Sequence, residues 1–203
     1  QLIAGNDCSA LLTKSGDIYV WGSNESGLLG SGSSKTNFTK PTKIQLLSGT
    51  VSWISCGCSH MAAVMSNGKV FVWGETQHGK LGIGSTDEEI IYTPTEVKEE
   101  LNSKAVARVY CGYKHTLALT KSGLVFVWGE GFSGQLGLGV GTLQSDVPLH
   151  LEGLNDEEIV AAALGEEHTL LVDTLGRLYS FGDGKYGKLC ASRISGFVNQ
   201  MRP

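Results

Sequence analysis

Residues 74–82, GETQHGKLG, place a glycine, four residues and then Gly79–Lys80. This is close to the phosphate loop G-x-x-x-x-G-K-[ST], whose backbone N–H groups cradle phosphate while a hydroxyl holds magnesium. Here the last position is Leu81, which cannot ligate a metal, and the same spacing returns in residues 182–189 as GDGKYGKL. GEGFSG from Gly129 and GDGKYG from Gly182 fit G-x-G-x-x-G, a pattern that binds dinucleotides only where it opens a helix. CGCSH, from Cys56 to His60, brings thiols and an imidazole together, the usual zinc donors. His60, His115 and His168 are further candidates for proton transfer; His78 and His150 have no evident carboxylate or nucleophile beside them.

The elements that must position these residues are repeats. GNDCSALLTKSGDIYVWGSNESGLLG from Gly5 aligns without gaps with GCSHMAAVMSNGKVFVWGETQHGKLG from Gly57. GYKHTLALTKSGLVFVWGEGFSGQLG from Gly112 and GEEHTLLVDTLGRLYSFGDGKYGKLC from Gly165 complete the set, at intervals of 52, 55 and 53 residues. Each unit reads as four short strands. One meets the glycine, a second (HTLAL) runs to a Gly turn, a third (KVFVW) follows it, and a fourth is expected to begin at Pro41, Pro94 or Pro148. Four strands per unit at such a period predict an all-β fold, four repeats of a propeller, over about 1–48, 49–103, 104–156 and 157–203. The last unit is expected to stop where its fourth strand should begin.

The alignment settles the chemistry. The slot of Lys80 holds Leu28, Gln135 and Lys188 in the other units, whereas the glycine before it always recurs; the motif is a turn, not a nucleotide site. His60, His115 and His168 share one slot, filled by Cys8 in the first unit. Residues in different blades do not converge on one substrate, so a buried imidazole tying one turn to the next strand is expected, a bond whose loss costs about 1–3 kcal/mol. The Cys56 slot holds Ala4, Cys111 and Leu164, a small buried position rather than a metal ligand. Trp21, Trp73, Trp128 and Phe181 are read as aromatics packing the blades, and Gly5, Gly57, Gly112 and Gly165 as repeat turns. No catalytic residue, metal or cofactor is expected.

Composition narrows the class. There are 28 glycines against four prolines, a share that fits tight turns at set places. A net charge of −4 argues against nucleic acid as the main partner. Five cysteines without a framework spacing point to a reducing intracellular compartment. Asn24 and Asn37 head glycosylation-type triplets of a kind that arises by chance. The longest apolar run, 159–164, is far too short to span a bilayer.

The block G-x-x-H-[ST]-x-x-[LV], then x-G, x-[WF]-G and G-x-L-G, resembles the repeat of the regulator of chromosome condensation family. That resemblance implies a seven-bladed propeller of roughly 370 residues, so the four units are expected to be part of a longer chain. There is no Trp-Asp pair as in the WD type and no Gly-Gly pair as in kelch. G-W-R-H-T repeats, which the plant ultraviolet photoreceptor of this family carries, are absent. Residues 51–57 (VSWISCG) and 179–189 (YSFGDGKYGKL) are most similar to the retinitis pigmentosa GTPase regulator branch.

That branch implies a non-catalytic scaffold in ciliary or centrosomal trafficking, with small GTPases, prenyl-protein carriers or transition-zone proteins as partners. The alternatives are exchange of guanine nucleotide on a Ran-like GTPase, in the nucleus, and recruitment of substrates to a ubiquitin ligase. The binding residues expected are those whose slots vary: Trp53 and Arg108 in one slot, and Tyr113, Lys114, Phe132, Glu166, Glu167 and Tyr186 at turn tips. Trp53, whose slot otherwise holds Gln1, Arg108 and Ala161, is read either as an exposed binding residue or as lining against a neighbouring blade.

Overall fold

Segments rich in Val, Phe and Trp alternate with glycine turns, and each unit folds back on itself as one antiparallel sheet. The computed structural model describes residues 1–45, 47–139, 141–154 and 158–190, together with the backbone of 197–198. The first sheet contains β1 (Leu2–Ala4), β2 (Cys8–Leu12), β3 (Ile18–Ser23) and β4 (Asn37–Lys43). The second contains β5 (Val51–Cys56), β6 (His60–Met65), β7 (Val70–Glu75) and β8 (Ile90–Val97). The third contains β9 (Val106–Cys111), β10 (His115–Thr120), β11 (Val125–Glu130) and β12 (Gln144–His150). The fourth contains β13 (Ile159–Leu164), β14 (His168–Asp173), β15 (Leu178–Asp183) and β16 (Phe197–Val198). Strands follow chain order in every sheet, which is the arrangement of a propeller blade. The described residues form four blades of a propeller and do not close its ring.

The first strands β1, β5, β9 and β13 contact one another in succession and form the inner layer. The cores lie between blades rather than within them. Val20, Leu29 and Ile44 of the first blade share a cluster with Ile54, Met61 and Trp73 of the second. Val72 and Leu81 of the second pack with Val109, Phe126 and Trp128 of the third, whose Leu117, Val127 and Leu136 pack in turn with Leu171 and Phe181 of the fourth. Strand β10 is buried along its whole length, because a neighbouring sheet covers each of its faces. Stability is therefore a sum over nearest-neighbour junctions, and each fully buried aromatic there contributes about 1.5–3 kcal/mol.

Two sequence expectations are corrected. The fourth strands begin before their prolines: Pro41, Pro94 and Pro148 lie inside β4, β8 and β12. In each case the proline falls in the register shift opposite the Trp position of the third strand, where a bulge on an outer strand releases it from donating a ladder bond. The fourth unit is not left without its last strand, since β16 pairs with β15 through Gly182↔Val198 and Asp183↔Phe197.

Candidate functional site

The glycine motif that opens the sequence problem begins the β3–β4-type loop of each blade. In the second blade the loop makes one 3-10 turn over Gln77–Gly79, not the start of a longer helix. Its N–H groups turn inward, Gly79 N donating to Thr76 O and Gly82 N to Gly79 O. Gly79 has φ 70°, and a Cβ there would lie 2.6 Å from the Ser145 carbonyl of the next blade. The glycine is thus required by close backbone approach as well as by conformation.

Lys80 is buried, and its Nζ donates to Ser59 Oγ at 2.7 Å and to Glu75 Oε2 at 3.1 Å. Burial pulls the Lys80 pKa down, while Glu75 favours the ammonium. Ser59 accepts from that ammonium, so the pair lacks the neutral amine a serine nucleophile needs as its base. The same pairing recurs at a five-residue spacing: Gln135 Nε2 donates to Glu130 Oε2 at 3.3 Å, and Lys188 pairs with Asp183. Burial raises the carboxyls of Glu75 and Asp183, but hydrogen bonds outweigh it and both end below the ordinary range. This belt of paired carboxylates was missed in reading the sequence. Its signal was present, an acid directly after Trp-Gly or Phe-Gly and a Lys or Gln five positions on.

The backbone carbonyl in the Lys80 slot holds adjacent blades together. Lys80 O accepts from Thr116 Oγ1 at 2.7 Å and from Trp128 Nε1 at 2.9 Å, both in the third blade. Leu28 O accepts from Trp73 Nε1, and Gln135 O from Thr169 Oγ1. Where Phe181 replaces the indole donor, the threonine supplies the bond; where Met61 replaces the threonine, the tryptophan supplies it.

Each threonine also meets a histidine of the preceding blade, His60 Nε2 at 2.7 Å from Thr116 Oγ1 and His115 Nε2 at 2.9 Å from Thr169 Oγ1. Since the hydroxyl proton points at the carbonyl, the imidazole N–H must sit on Nε2, leaving Nδ1 as a lone pair without a partner. Burial is the main cause that brings His60 and His115 down to about 3, aided by Lys80 and His115 for the first and by His168 for the second. The imidazoles thus reach across to the next blade's hydroxyl, and it is the histidine backbone carbonyl, accepting from Gly57 N or Gly112 N, that ties the turn. His168, half-buried, is also lowered, first by burial.

The CGCSH donors diverge: Cys56 faces Cys8, Cys58 lines a surface cleft and His60 points at Thr116. No cluster of three or more His, Cys, Asp or Glu among the described residues could hold a metal ion. No helix there is long and apolar enough to cross a membrane. Asn24 is buried and consumed by Ser33 O, Lys35 O and Leu29 N.

Among the expected binding residues, the structure brings Tyr113 and Lys114 to a cleft of about 240 Å³ that Asn6, Ser26, Cys58, Ser59, Glu75, His78 and Lys80 also line. Lys114 Nζ reaches Glu130 at 3.1 Å, and His78 Nδ1 lies 3.4 Å from the same oxygen. Phe132 and Tyr186, on the corresponding loops of later blades, are 57% and 101% exposed, and Tyr113 is 42% exposed. Tyr186 and its repeat equivalent His78 adopt φ 62° and 64°, a left-handed conformation that side chains resist. Glu166 and Glu167 occupy the turn of the fourth blade that corresponds to Tyr113 and Lys114.

Of the two readings of Trp53, the structure shows the lining of a neighbouring blade. It is half-buried, its indole N–H donates to Val109 O at 2.8 Å, and the Arg108 guanidinium lies 5.1 Å over its ring. Gln1 and Arg108 in the same slot likewise donate across a junction, to Ile54 O and Val160 O. In the first three blades the slot varies in side chain but carries an N–H donor, which an identity comparison does not show; Ala161 of the fourth has none.

The family model of the RCC1-like domain matches residues 1–200. The chain belongs to the RCC1-like domain family. It is 39% identical over 195 residues to the human E3 ubiquitin-protein ligase HERC2, covering 93% of this chain and 4% of that one. It is 37% identical over 191 residues to the Arabidopsis thaliana ultraviolet-B receptor UVR8, covering 93% of this chain and 42% of the receptor. This RCC1-like chain therefore spans less than half of these relatives. In fold it is similar to human WBSCR16, with a TM-score of 0.85 at 25% identity over 100% of this chain and 52% of that one. Yeast Prp20, solved with Kap60, gives a TM-score of 0.86 at 20% identity over 98% and 47%, a likeness of fold.

Proposed function

We propose that this RCC1-like chain is a non-catalytic protein-interaction scaffold whose docking surface is the face carrying the β1–β2-type turns and β3–β4-type loops. One observation carries the reading. On that face Glu75, Glu130 and Asp183 are paired with Lys80, Lys114, Gln135 and Lys188, whereas Tyr113, Phe132 and Tyr186 are left exposed, Tyr186 fully and in a strained conformation. Strain at a surface tip is retained where it serves a contact, and aromatic tips among charged residues are what a protein partner anchors on. Lys114, Glu166 and Glu167 supply the polar rim. The resemblance of 51–57 and 179–189 to the retinitis pigmentosa GTPase regulator supports a ciliary or centrosomal setting, with small GTPases, prenyl-protein carriers or transition-zone proteins as partners.

Two other readings have a specific observation behind them. The identity to HERC2, named as a ligase, supports recruitment of substrates to a ubiquitin ligase. The fold of yeast Prp20, described by its binding to Gsp1p and histones, supports nucleotide exchange on a Ran-like GTPase.

The experiment is a release assay of labelled GDP from Ran and other small GTPases, combined with localisation of the tagged full-length protein in ciliated cells. Basal-body or transition-zone staining without exchange, and loss of partner capture in the triple variant Tyr113→Ala, Phe132→Ala, Tyr186→Ala, is the expected result. Rapid exchange on Ran with nuclear staining overturns it in favour of the exchange factor.

A further inference from the structure

We propose that Cys8 and Cys56 are a modification site, a thiol pair that a hydroperoxide converts to a disulfide stapling the first blade to the second. Their sulfurs lie 3.9 Å apart across the junction. A disulfide needs about 2.05 Å, so the sulfurs close the remaining gap by side-chain rotation and a small shift of the sheets. Gly5 makes the room: a Cβ there would lie 2.7 Å from Cys56 Sγ and 2.8 Å from Cys8 Sγ.

The pair stands where the repeat departs from itself twice. Cys8 occupies the slot of His60 and His115, and Met61 that of Thr116 and Thr169, so the buried imidazole–hydroxyl relay is missing from this junction alone among the three. There Cys8 Sγ faces Cys56 Sγ instead. At the next junction the slot of Cys56 holds Cys111, but its sulfur lies 3.6 Å from Ser55 O and the facing slot holds His60. Cys8 is buried and Cys56 half-buried, so a small oxidant reaches the pair while bulky disulfides do not. The hydrogen bond from Cys56 favours the Cys8 thiolate despite burial, and it pushes the Cys56 thiol up.

Cys8 is accordingly the first to react. Its thiolate attacks one oxygen of hydrogen peroxide, the O–O bond breaks, and the departing hydroxide takes up a proton as water. Cys8 is now a sulfenic acid. The Cys56 sulfur attacks the Cys8 sulfur, the S–O bond breaks, and the hydroxide leaves with the Cys56 proton as the second water. Two thiols and one peroxide give one disulfide and two waters, the thiols supplying both electrons. A dithiol reductant reverses the step by exchange.

The test treats the reduced full chain with one equivalent of hydrogen peroxide, blocks remaining thiols by alkylation, digests without reduction and maps the peptides by mass spectrometry. A cross-linked peptide joining Cys8 to Cys56, with an upward shift in melting temperature of about 4–15 °C that dithiothreitol abolishes, is expected. Cys56→Ser should lose both signals, and Cys190→Ser should keep both. The proposal is overturned if Cys8 and Cys56 are recovered alkylated while other thiols oxidise, or if Cys56 is found joined to Cys58 instead. Mapping on the unmutated chain decides the matter even where a variant misfolds.

Discussion

The junction between the first and second blades and that between the second and third have the same backbone and different side-chain bonds. At the second, His60 Nε2–H, Thr116 Oγ1 and Lys80 O form a buried chain, with Trp128 Nε1 as a further donor to the same carbonyl. At the first, Cys8 and Met61 take the relay positions, and Leu28 O keeps only the Trp73 indole. The blades therefore need the turn carbonyl satisfied, not any particular residue to satisfy it, as expected for a buried polar group whose cost lies in being left alone.

The tryptophan is the strongest common element, and removing it breaks the comparison at its root. Trp128→Ala leaves a cavity at a fully buried site and takes one donor from Lys80 O. A loss of about 3–5 kcal/mol in denaturant unfolding is expected. Trp21→Ala, at a half-buried ring, should cost less than half of that.

Acid separates the two junctions next. His60 and His115 titrate at about 3 when folded against 6.5 as the ordinary value. Above 6.5 both states are neutral and nothing is lost. As pH falls below it the unfolded chain binds protons that the folded chain refuses, so stability declines until about 3, by up to about 1.4 kcal/mol per pH unit for each histidine. Unfolding midpoints at pH 7, 6 and 5, above the titration of the paired carboxylates, should show this slope, and His60→Gln should remove less than half of it, since His115 and His168 also contribute. The thiol junction contributes nothing to the slope, so a flat profile would contradict the buried neutral relay.

A smaller change isolates one hydroxyl. Thr116→Val strands His60 Nε2–H and should cost about 1–3 kcal/mol, whereas Met61→Leu at the equivalent slot should stay below about 1.5 kcal/mol. Equal costs would mean that the relay adds nothing beyond packing. Smallest is Cys190→Gly. Cys190 holds φ 56°, where Gly30, Gly82 and Gly137 stand at 54°, 67° and 69° in the other blades, so glycine should raise stability by about 1 kcal/mol, read from the melting temperature.

Much of the architecture was legible from self-similarity. The gapless blocks placed the four-strand unit and the buried Trp73, Trp128 and Phe181. Partners across a junction were not legible in the same way. His60 and Thr116 are 56 residues apart, and nothing in the alignment pairs one unit's histidine with the next unit's threonine. The donor role of Trp53 was not legible because its slot in the first three blades shares a donor rather than a shape, and Gln, Trp and Arg share that chemistry without sharing size. The prolines misled because a bulge accommodates them inside a strand that a ladder without one would have ended.

The order of residues by itself determined the period, the strand count per unit and the places of the turns. These rest on local physics, on which residues alternate and which must accept φ > 0, and local physics is written along the chain. Stacking of the sheets decided which side chains meet. A contact at 2.7 Å between blades, as from His60 to Thr116, depends on the angle and separation of two whole sheets, set by all the apolar side chains packed between them. The same stacking turned Lys80 from a phosphate ligand in appearance into the buried partner of Glu75, and brought Cys8 Sγ to 3.9 Å from Cys56 Sγ at the junction without a histidine.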